Sequence, residues 1–431
     1  MAKSTRGCSL LPNLPTSGVD IELITTGSEL LLGRVLNTHQ QWLGTQLDAH
    51  GWTLTRQVTI PDTAPAIEAA VREALERADL IITTGGLGPT ADDITRGRIA
   101  ALLGLPLRED PSVREHITTI FQRIRRPMPE SVFAQAQVPQ GATVLQNAHG
   151  TAPGLFLEHE GTHLLMLPGP PRELRPMFTR QALPLLREHC PPASPATTRI
   201  LKIAGMGESL VEEKVSPPLS ELAGLDIGYC ARNGEVDLRL RASDPTLIDQ
   251  AETLVRKTIG PFIFGVDDDT LEQHIIERLT QRGETLALAE SCTGGHLANR
   301  LTNIPGASAV LHAGHVTYSN TAKQTILGVE GDTLSEHGAV SQPTARAMAE
   351  GARGLHGTTY ALATTGIAGP GGGTKDKPVG TVHIALATPT ETHAIQRHNP
   401  VDRATFKFVA TQQALDLLRT HLPKPKSQPR A

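Results

Sequence analysis

Residues 285-295, Thr-Leu-Ala-Leu-Ala-Glu-Ser-Cys-Thr-Gly-Gly, run an apolar stretch straight into a serine, a glycine pair and a new amphipathic segment. Such a run, closed by glycine, reads as a buried strand turning tightly into a helix, the unit of an α/β fold. Ser291 and the amides of Cys292, Thr293 and Gly294 are expected at the helix N-terminus, with Gly295 completing the turn. Unpaired N–H groups and the macrodipole there favour negative charge, as on an oxyanion or phosphate. Taken alone, the same residues read equally well as a serine-capped turn.

Two further segments shift that balance. In 315-323, His-Val-Thr-Tyr-Ser-Asn-Thr-Ala-Lys, an extended stretch passes through Ser319 and Asn320, both good N-caps, into a helix with Lys323 in its first turns. A cation there opposes the helix dipole, so it needs another reason. In 359-373 a strand ends in Thr365-Gly-Ile-Ala-Gly-Pro-Gly-Gly-Gly. Gly366, Gly369, Gly371 and Gly372 suit close approach of backbone amides to a ligand. The segment lacks the lysine spacing of a Walker loop, so ATP is not implied.

Ala289-Glu-Ser-Cys-Thr-Gly-Gly295, Val316-Thr-Tyr-Ser-Asn320 with Lys323, and Thr365-Gly-Ile-Ala-Gly-Pro-Gly-Gly-Gly373 followed by Lys377-Pro-Val-Gly-Thr381 together resemble the C-terminal domain of the CinA family. The resemblance implies a nicotinamide-nucleotide amidohydrolase. Nicotinamide mononucleotide would be converted to nicotinate mononucleotide and ammonia, without a cofactor, by Ser291, Tyr318 and Lys323. Thr365 and Arg403 are the remaining ligand contacts it implies. Val401 and Lys407 stand where the family has a glycine and a second arginine. A serine attacks an amide only with its proton removed and its oxyanion stabilised. Lys323 can do the first if burial lowers its pKa, with Tyr318 relaying or orienting the proton. Cys292 is the alternative nucleophile.

The chain has 431 residues, which implies two or three domains. Its net charge of -4 argues against nucleic acid as a partner, so anionic ligands must be held by local amides and single basic residues. Cys8, Cys190, Cys230 and Cys292 are widely spread, as expected of a cytoplasmic protein. No apolar stretch approaches the roughly 18 residues of a membrane span. Residues 1-17 read as a flexible tail, not a signal peptide, and 422-431 as a disordered Pro/Lys tail. The expected assembly is a homodimer.

From Ile21 the chain alternates strand (21-26), helix (38-50), strand (52-60), helix (63-78), strand (80-84) and a helix from about Asp92. This pattern implies a mostly parallel, doubly wound sheet. Ligands of such sheets bind beyond the carboxyl ends of strands, where Thr26-Gly-Ser-Glu-Leu30, Asp62 and Gly85-Gly-Leu-Gly-Pro-Thr-Ala-Asp-Asp93 fall. The candidates there are Glu29, Asp62, Gly85, Gly86, Gly88, Thr90, Asp92 and Asp93. These strings, with Gly150-Thr-Ala-Pro-Gly154 and Leu167-Pro-Gly-Pro-Pro171, resemble the MoaB/MogA-type molybdopterin-binding domain that forms the N-terminal half of CinA proteins. His39 stands where that family often has asparagine. Two roles are implied. One is binding of a molybdopterin-like compound; the other is metal-dependent hydrolysis of ADP-ribose, with a divalent cation on Asp92 and Asp93. Paired acids favour the second, although helix-dipole preference alone also explains them.

The expected architecture is therefore an α/β protein. A MoaB/MogA-like domain spans 18-180, a small α+β connecting domain with a helix near 245-258 spans 181-262, and the amidohydrolase domain spans 263-421. His159-Glu-Gly-Thr-His163 matches the zinc-protease pattern, but its flanks read as a hairpin turning at Glu160-Gly161, so its histidines diverge. Against a two-activity enzyme of pyridine-nucleotide salvage stand a pterin-type binding module and a competence accessory protein without hydrolase activity.

Overall fold

The computed structural model describes residues 18-192 and 197-423, so the expected tail 1-17 and nearly all of 422-431 lie outside the described residues. The chain divides into two compact units, one ending at Thr197 and the other beginning at Thr198.

The first unit holds a six-stranded sheet in the order Leu54–Ile60, Ile21–Thr26, Leu80–Thr84, Thr162–Leu167, Gly154–His159, Thr143–Leu145. The first four strands are parallel, and the fifth pairs antiparallel with both of its neighbours. Alternation along the central strands sends Ile24, Ile81, Leu164 and Met166 to one face, against Ile67 and Val71 of the helix Ala64–Leu75. Ile21, Leu23, Ile82 and Leu165 go to the other, against Leu43, Leu47, Phe178 and Leu186. Helices thus cover both faces, as doubly wound sheets require. That second layer continues past residue 180, with Leu183 and Leu186 of Leu183–His189 packed in the same core. Trp52, expected to begin a strand, instead lies fully buried before it and donates from Nε1 to the Cys190 carbonyl at 2.7 Å. The expected hairpin at 154-167 forms: His159 pairs with Thr162, and Glu160 and Gly161 turn with φ of 50° and 87°. His163 stacks on Phe156 at 5.5 Å.

The second unit contains two sheets. A four-stranded sheet runs in the order Asp226–Arg232, Glu235–Ala242, Thr197–Ala204, Ile263–Val266. The helices Glu208–Leu219 and Pro245–Ile259 pack on it through Val211, Val215, Ile248 and Val255. A five-stranded sheet runs Leu311–Val316, Leu286–Glu290, Tyr360–Gly366, Thr381–Ala387, Thr392–His398, the first three parallel. Its small-residue face, Ala287, Ala289, Ala361, Ala363 and Ala385, lets the helix Gln342–His356 approach closely. The bulkier face, Leu286, Leu288, Leu362 and Ile384, packs on Leu271–Arg282 and Arg403–His421. All three parallel strands end at one edge of this sheet, and the candidate residues of the second unit lie there.

Candidate functional site

The strand Leu286–Glu290 is central, and its end is tied on both sides. The Ser291 amide donates to the Thr364 carbonyl at 2.9 Å, and the Thr317 amide to the Glu290 carbonyl at 2.8 Å. Gly294 and Gly295 then turn the chain with φ of 59° and 88°, a region open to glycine, before the short helix His296–Thr302 begins. The helix N-terminus, where the sequence puts an anion site, is already taken by a side chain. The carboxylate of Glu290, 1% exposed, already accepts from the amides of Leu297 (3.1 Å) and Ala298 (2.8 Å) and from the Thr293 hydroxyl (2.7 Å). The Gly294 amide is turned onto the Ser291 carbonyl at 3.1 Å. Among the described residues this leaves the amides of Cys292, Thr293 and Gly295 without a carbonyl acceptor, and Cys292 and Thr293, next along the chain from Ser291, are the candidates for an oxyanion site.

Ser319 caps the helix Asn320–Leu327 by accepting from the Ala322 amide at 3.0 Å. That start places Lys323 one turn in, pointing back across the strand ends. It is 1% exposed; its Nζ donates to Ser291 Oγ at 3.1 Å and to the Thr317 carbonyl at 2.8 Å. Burial pulls its pKa below the ordinary lysine value, and no carboxylate bonds to it to oppose that shift. Serine and lysine are thus arranged for proton transfer.

The geometry narrows three expectations. Tyr318 does not reach the Ser291-Lys323 pair: its ring is 62% exposed and its hydroxyl accepts from Arg403 Nη2 at 2.9 Å. Arg403 also donates to the Gly369 carbonyl at 2.8 Å, so Tyr318, Arg403 and the glycine loop form one rim. Thr365 is buried and its hydroxyl donates to the Ala339 carbonyl at 2.7 Å, so only its lone pairs could serve a ligand. Cys292 is a poor nucleophile: its thiol is buried in the core and burial pushes its pKa up to about 12. Gly366 is needed for packing, since a Cβ there would lie 2.6 Å from the Thr381 carbonyl oxygen. Gly369 and Gly372 turn with φ of 73° and 86°, while Gly371 faces open space.

Two participants escape the sequence reading. Glu290 braces the turn; an acid between an apolar strand and a glycine-led helix is the available signal. Lys407 overhangs the turn, its Nζ 3.6 Å from where a Gly294 Cβ would sit.

In the first unit a cavity of about 590 Å³ opens beyond the parallel strand ends and gathers Glu29, Asp62, Gly85, Gly86, Gly88, Asp92 and Asp93. Asp62 Oδ2 accepts from the Ser28 amide at 2.8 Å and so fixes the short helix that carries Glu29. Asp92 and Asp93 do not open a helix as expected; the helix is Thr95–Leu102, and the two acids form the turn before it. Thr90 explains the delay: its hydroxyl lies 2.5 Å from Asp92 Oδ1 and 2.5 Å from Asp93 Oδ2, and its amide donates to Asp93 at 3.0 Å. These bonds hold the Asp92 carboxyl below its ordinary pKa. A Cβ on Gly88 would meet Asp93 at 2.3 Å, and one on Gly86 would meet Thr95 at 2.0 Å, so both glycines are needed for the loop to close.

Among the described residues no three His, Cys, Asp or Glu side chains converge as a metal cage. Two carboxylates and a hydroxyl are nonetheless hard oxygen donors, and one hydroxyl proton cannot serve both acids. That set fits a magnesium-type ion, which takes one or two carboxylates and completes its shell from water and substrate phosphate. His39 does not line the cavity; its amide donates to Asn37, the helix cap. Gln135, His149 and Glu173 do line it and escape sequence reasoning, since none of them belongs to a motif.

Three family profiles match the chain: the probable molybdopterin binding domain over 22-188, the damage-inducible protein CinA KH domain over 198-265, and the CinA C-terminal domain over 268-422. A competence-damage inducible protein of Moorella thermoacetica is 47% identical over 92% of this chain and 97% of its own length. A CinA-like protein of Akkermansia muciniphila is 43% identical over 92% and 96%. The crystal structure of competence/damage inducible protein CihA from Agrobacterium tumefaciens shares 43% identity over 34% of this chain and 91% of that one, with a TM-score of 0.34. With relatives this similar over nearly their whole length, the chain belongs to the CinA family of competence-damage inducible proteins, built from a MoaB-like N-terminal domain, a small KH-type middle domain and a CinA C-terminal domain.

Proposed function

We propose that the chain is a nicotinamide mononucleotide deamidase, with Ser291 as nucleophile and Lys323 as general base. The observation that carries this reading is a lysine 1% exposed with its Nζ 3.1 Å from Ser291 Oγ. The neutral amine takes the serine proton as Oγ bonds to the carboxamide carbon, and the amides of Cys292 and Thr293 receive the oxyanion. Lys323 returns the proton to the departing nitrogen, and ammonia leaves. Water then loses a proton to Lys323, attacks the acyl ester and releases nicotinate mononucleotide as the proton returns to Ser291. Arg403 and Lys407 take the phosphate, with Tyr318 holding Arg403 in place. Nothing in these steps calls on a cofactor. The test is ammonia release from nicotinamide mononucleotide by the parent and by Ser291→Ala; no release by the parent would end the proposal.

For the N-terminal domain we propose metal-dependent cleavage of ADP-ribose, favoured over ligand binding alone by the two carboxylates gathered on Thr90. Asp92, Asp93 and Thr90 would hold a divalent cation, which when bound supplies charge neutralisation on the pyrophosphate. The amides of Gly86 to Gly88 would approach the same phosphates, that of Gly85 being bonded to the Leu167 carbonyl. Such substrates imply a cytoplasmic protein, and among the described residues no helix is long and apolar enough to cross a membrane.

A further inference from the structure

Gln135 sits on the 3-10 turn Glu130–Ala136, is 1% exposed, and lines the N-terminal cavity. Its Oε1 is buried with no hydrogen-bond partner, and neither end of the carboxamide bonds to another described residue. Leaving such a group unpaired is costly, so a fold that keeps one in a cavity wall needs a partner that arrives from outside. The side chain is not there by loose packing. Arg96, 5% exposed, donates to the Leu87 carbonyl at 3.3 Å and to the Ala134 carbonyl at 2.7 Å, clamping the residue before Gln135 to the glycine loop. Leu87, Ile120 and Ala152 line the same cavity with apolar side chains, and Asp92 and Asp93 line it with carboxylates. A cavity that sets one free amide and a few apolar side chains beside a phosphate-type site suits a flat heterocycle joined to phosphates.

We propose that Gln135 reads the edge of that heterocycle, pairing its oxygen with an amino group and its nitrogen with an adjacent ring nitrogen, as a carboxamide does with adenine. This rests on the nucleotide reading of the N-terminal domain. A pterin edge offers the same donor beside an acceptor; the adenine assignment follows from the proposed ADP-ribose substrate.

The experiment compares kcat/KM for ADP-ribose and its hypoxanthine counterpart, in which a carbonyl replaces the amino group, in the parent, Gln135→Leu and Gln135→Met. Calorimetric affinities for adenosine and inosine monophosphate are measured on the same proteins. The parent is expected to prefer adenine by roughly tenfold to a hundredfold, with the preference falling to near unity in both variants. A merely structural role would lower both substrates together and leave the ratio intact, and that result, or no preference in the parent, overturns the assignment while the hydrolase reading stands. If the parent cleaves neither substrate, the hydrolase reading fails and the monophosphate affinity ratio alone decides Gln135. Tighter, Gln135-dependent binding of a pterin phosphate would overturn adenine in favour of the pterin.

Discussion

A lysine with 1% of its surface exposed has given up most of its hydration, which penalises the ammonium and not the amine. Its folded pKa therefore lies below its unfolded value, and the sign of two effects follows. Activity should rise with pH through the lowered pKa and then level, because the base is the neutral amine. Stability should carry a penalty that is full below the folded pKa and fades as pH climbs toward the unfolded value near 10.4, since the unfolded chain binds the extra proton. Lys323→Met removes both: deamidation falls by roughly 10²–10⁴-fold, while thermal melting at neutral pH occurs at or above the parent temperature. Lys323→Arg, which cannot deprotonate, should be about as inactive as Met. An arginine variant with near-normal turnover would reduce Lys323 to a charge contact. Ser291→Ala should lose at least roughly 10³-fold in ammonia release, and Cys292→Ala should keep most of it, its thiol being pushed up to about 12 and packed in the core. The reverse result would move the nucleophile to the thiol. Serine and lysine are legible in the strings because each follows the end of a strand, Ser291 directly and Lys323 in the first turn of the helix that comes next. Tyr318 is not, because its partner, Arg403, lies 85 residues away and nothing local announces the bond.

At the scale of elements, the turn after Glu290 works because a buried carboxylate spends itself on the helix start. The two N–H donors it accepts come from residues seven and eight positions on, so the brace is formed by the same strand-turn-helix unit that the sequence pattern predicts. What the pattern does not reveal is that this bond removes the helix terminus as a ligand site and leaves the task to Cys292 and Thr293. Glu290→Gln keeps the shape and one acceptor but loses the charge-assisted character of the bonds, which costs about 1–3 kcal/mol in denaturant unfolding. Deamidation should fall with it, because the same turn aims the two amides. If that variant unfolds earlier yet turns over normally, the brace is structural and the amides are held by the Thr364 and Glu290 backbone bonds instead. The late start of the helix at Thr95 has a similar cause: Thr90 captures both aspartates before they can act as helix-terminal charges. Strand ends are legible from glycine and alternation, whereas helix starts depend on which side chain reaches which amide.

At the scale of the whole molecule, the two compact units each carry their own candidate site, and the chemistry proposed for one does not touch the residues of the other. The strand-helix alternation that reveals the first unit comes from local periodicity, but its cavity is closed by Gln135, His149 and Glu173, which come from a later part of the chain and carry no motif. The proposed reactions differ in one experimental handle. Serine-lysine chemistry proceeds on side chains alone, while cleavage at Thr90, Asp92 and Asp93 requires a divalent cation, so a chelator should abolish ADP-ribose cleavage and leave ammonia release from nicotinamide mononucleotide unchanged. Asp93→Asn should do the same by mutation. Its Oδ2 accepts from both the amide and the hydroxyl of Thr90, so the asparagine can retain that geometry through its own oxygen while losing the charge that binds metal. Fold stability should shift by no more than about 1 kcal/mol, because the asparagine oxygen keeps both bonds from Thr90. A double Asp92→Asn, Asp93→Asn protein that still cleaves ADP-ribose with the parent's metal dependence would show both acids to be structural. The N-terminal domain would then be a ligand-binding module, with deamidation the activity left to the chain.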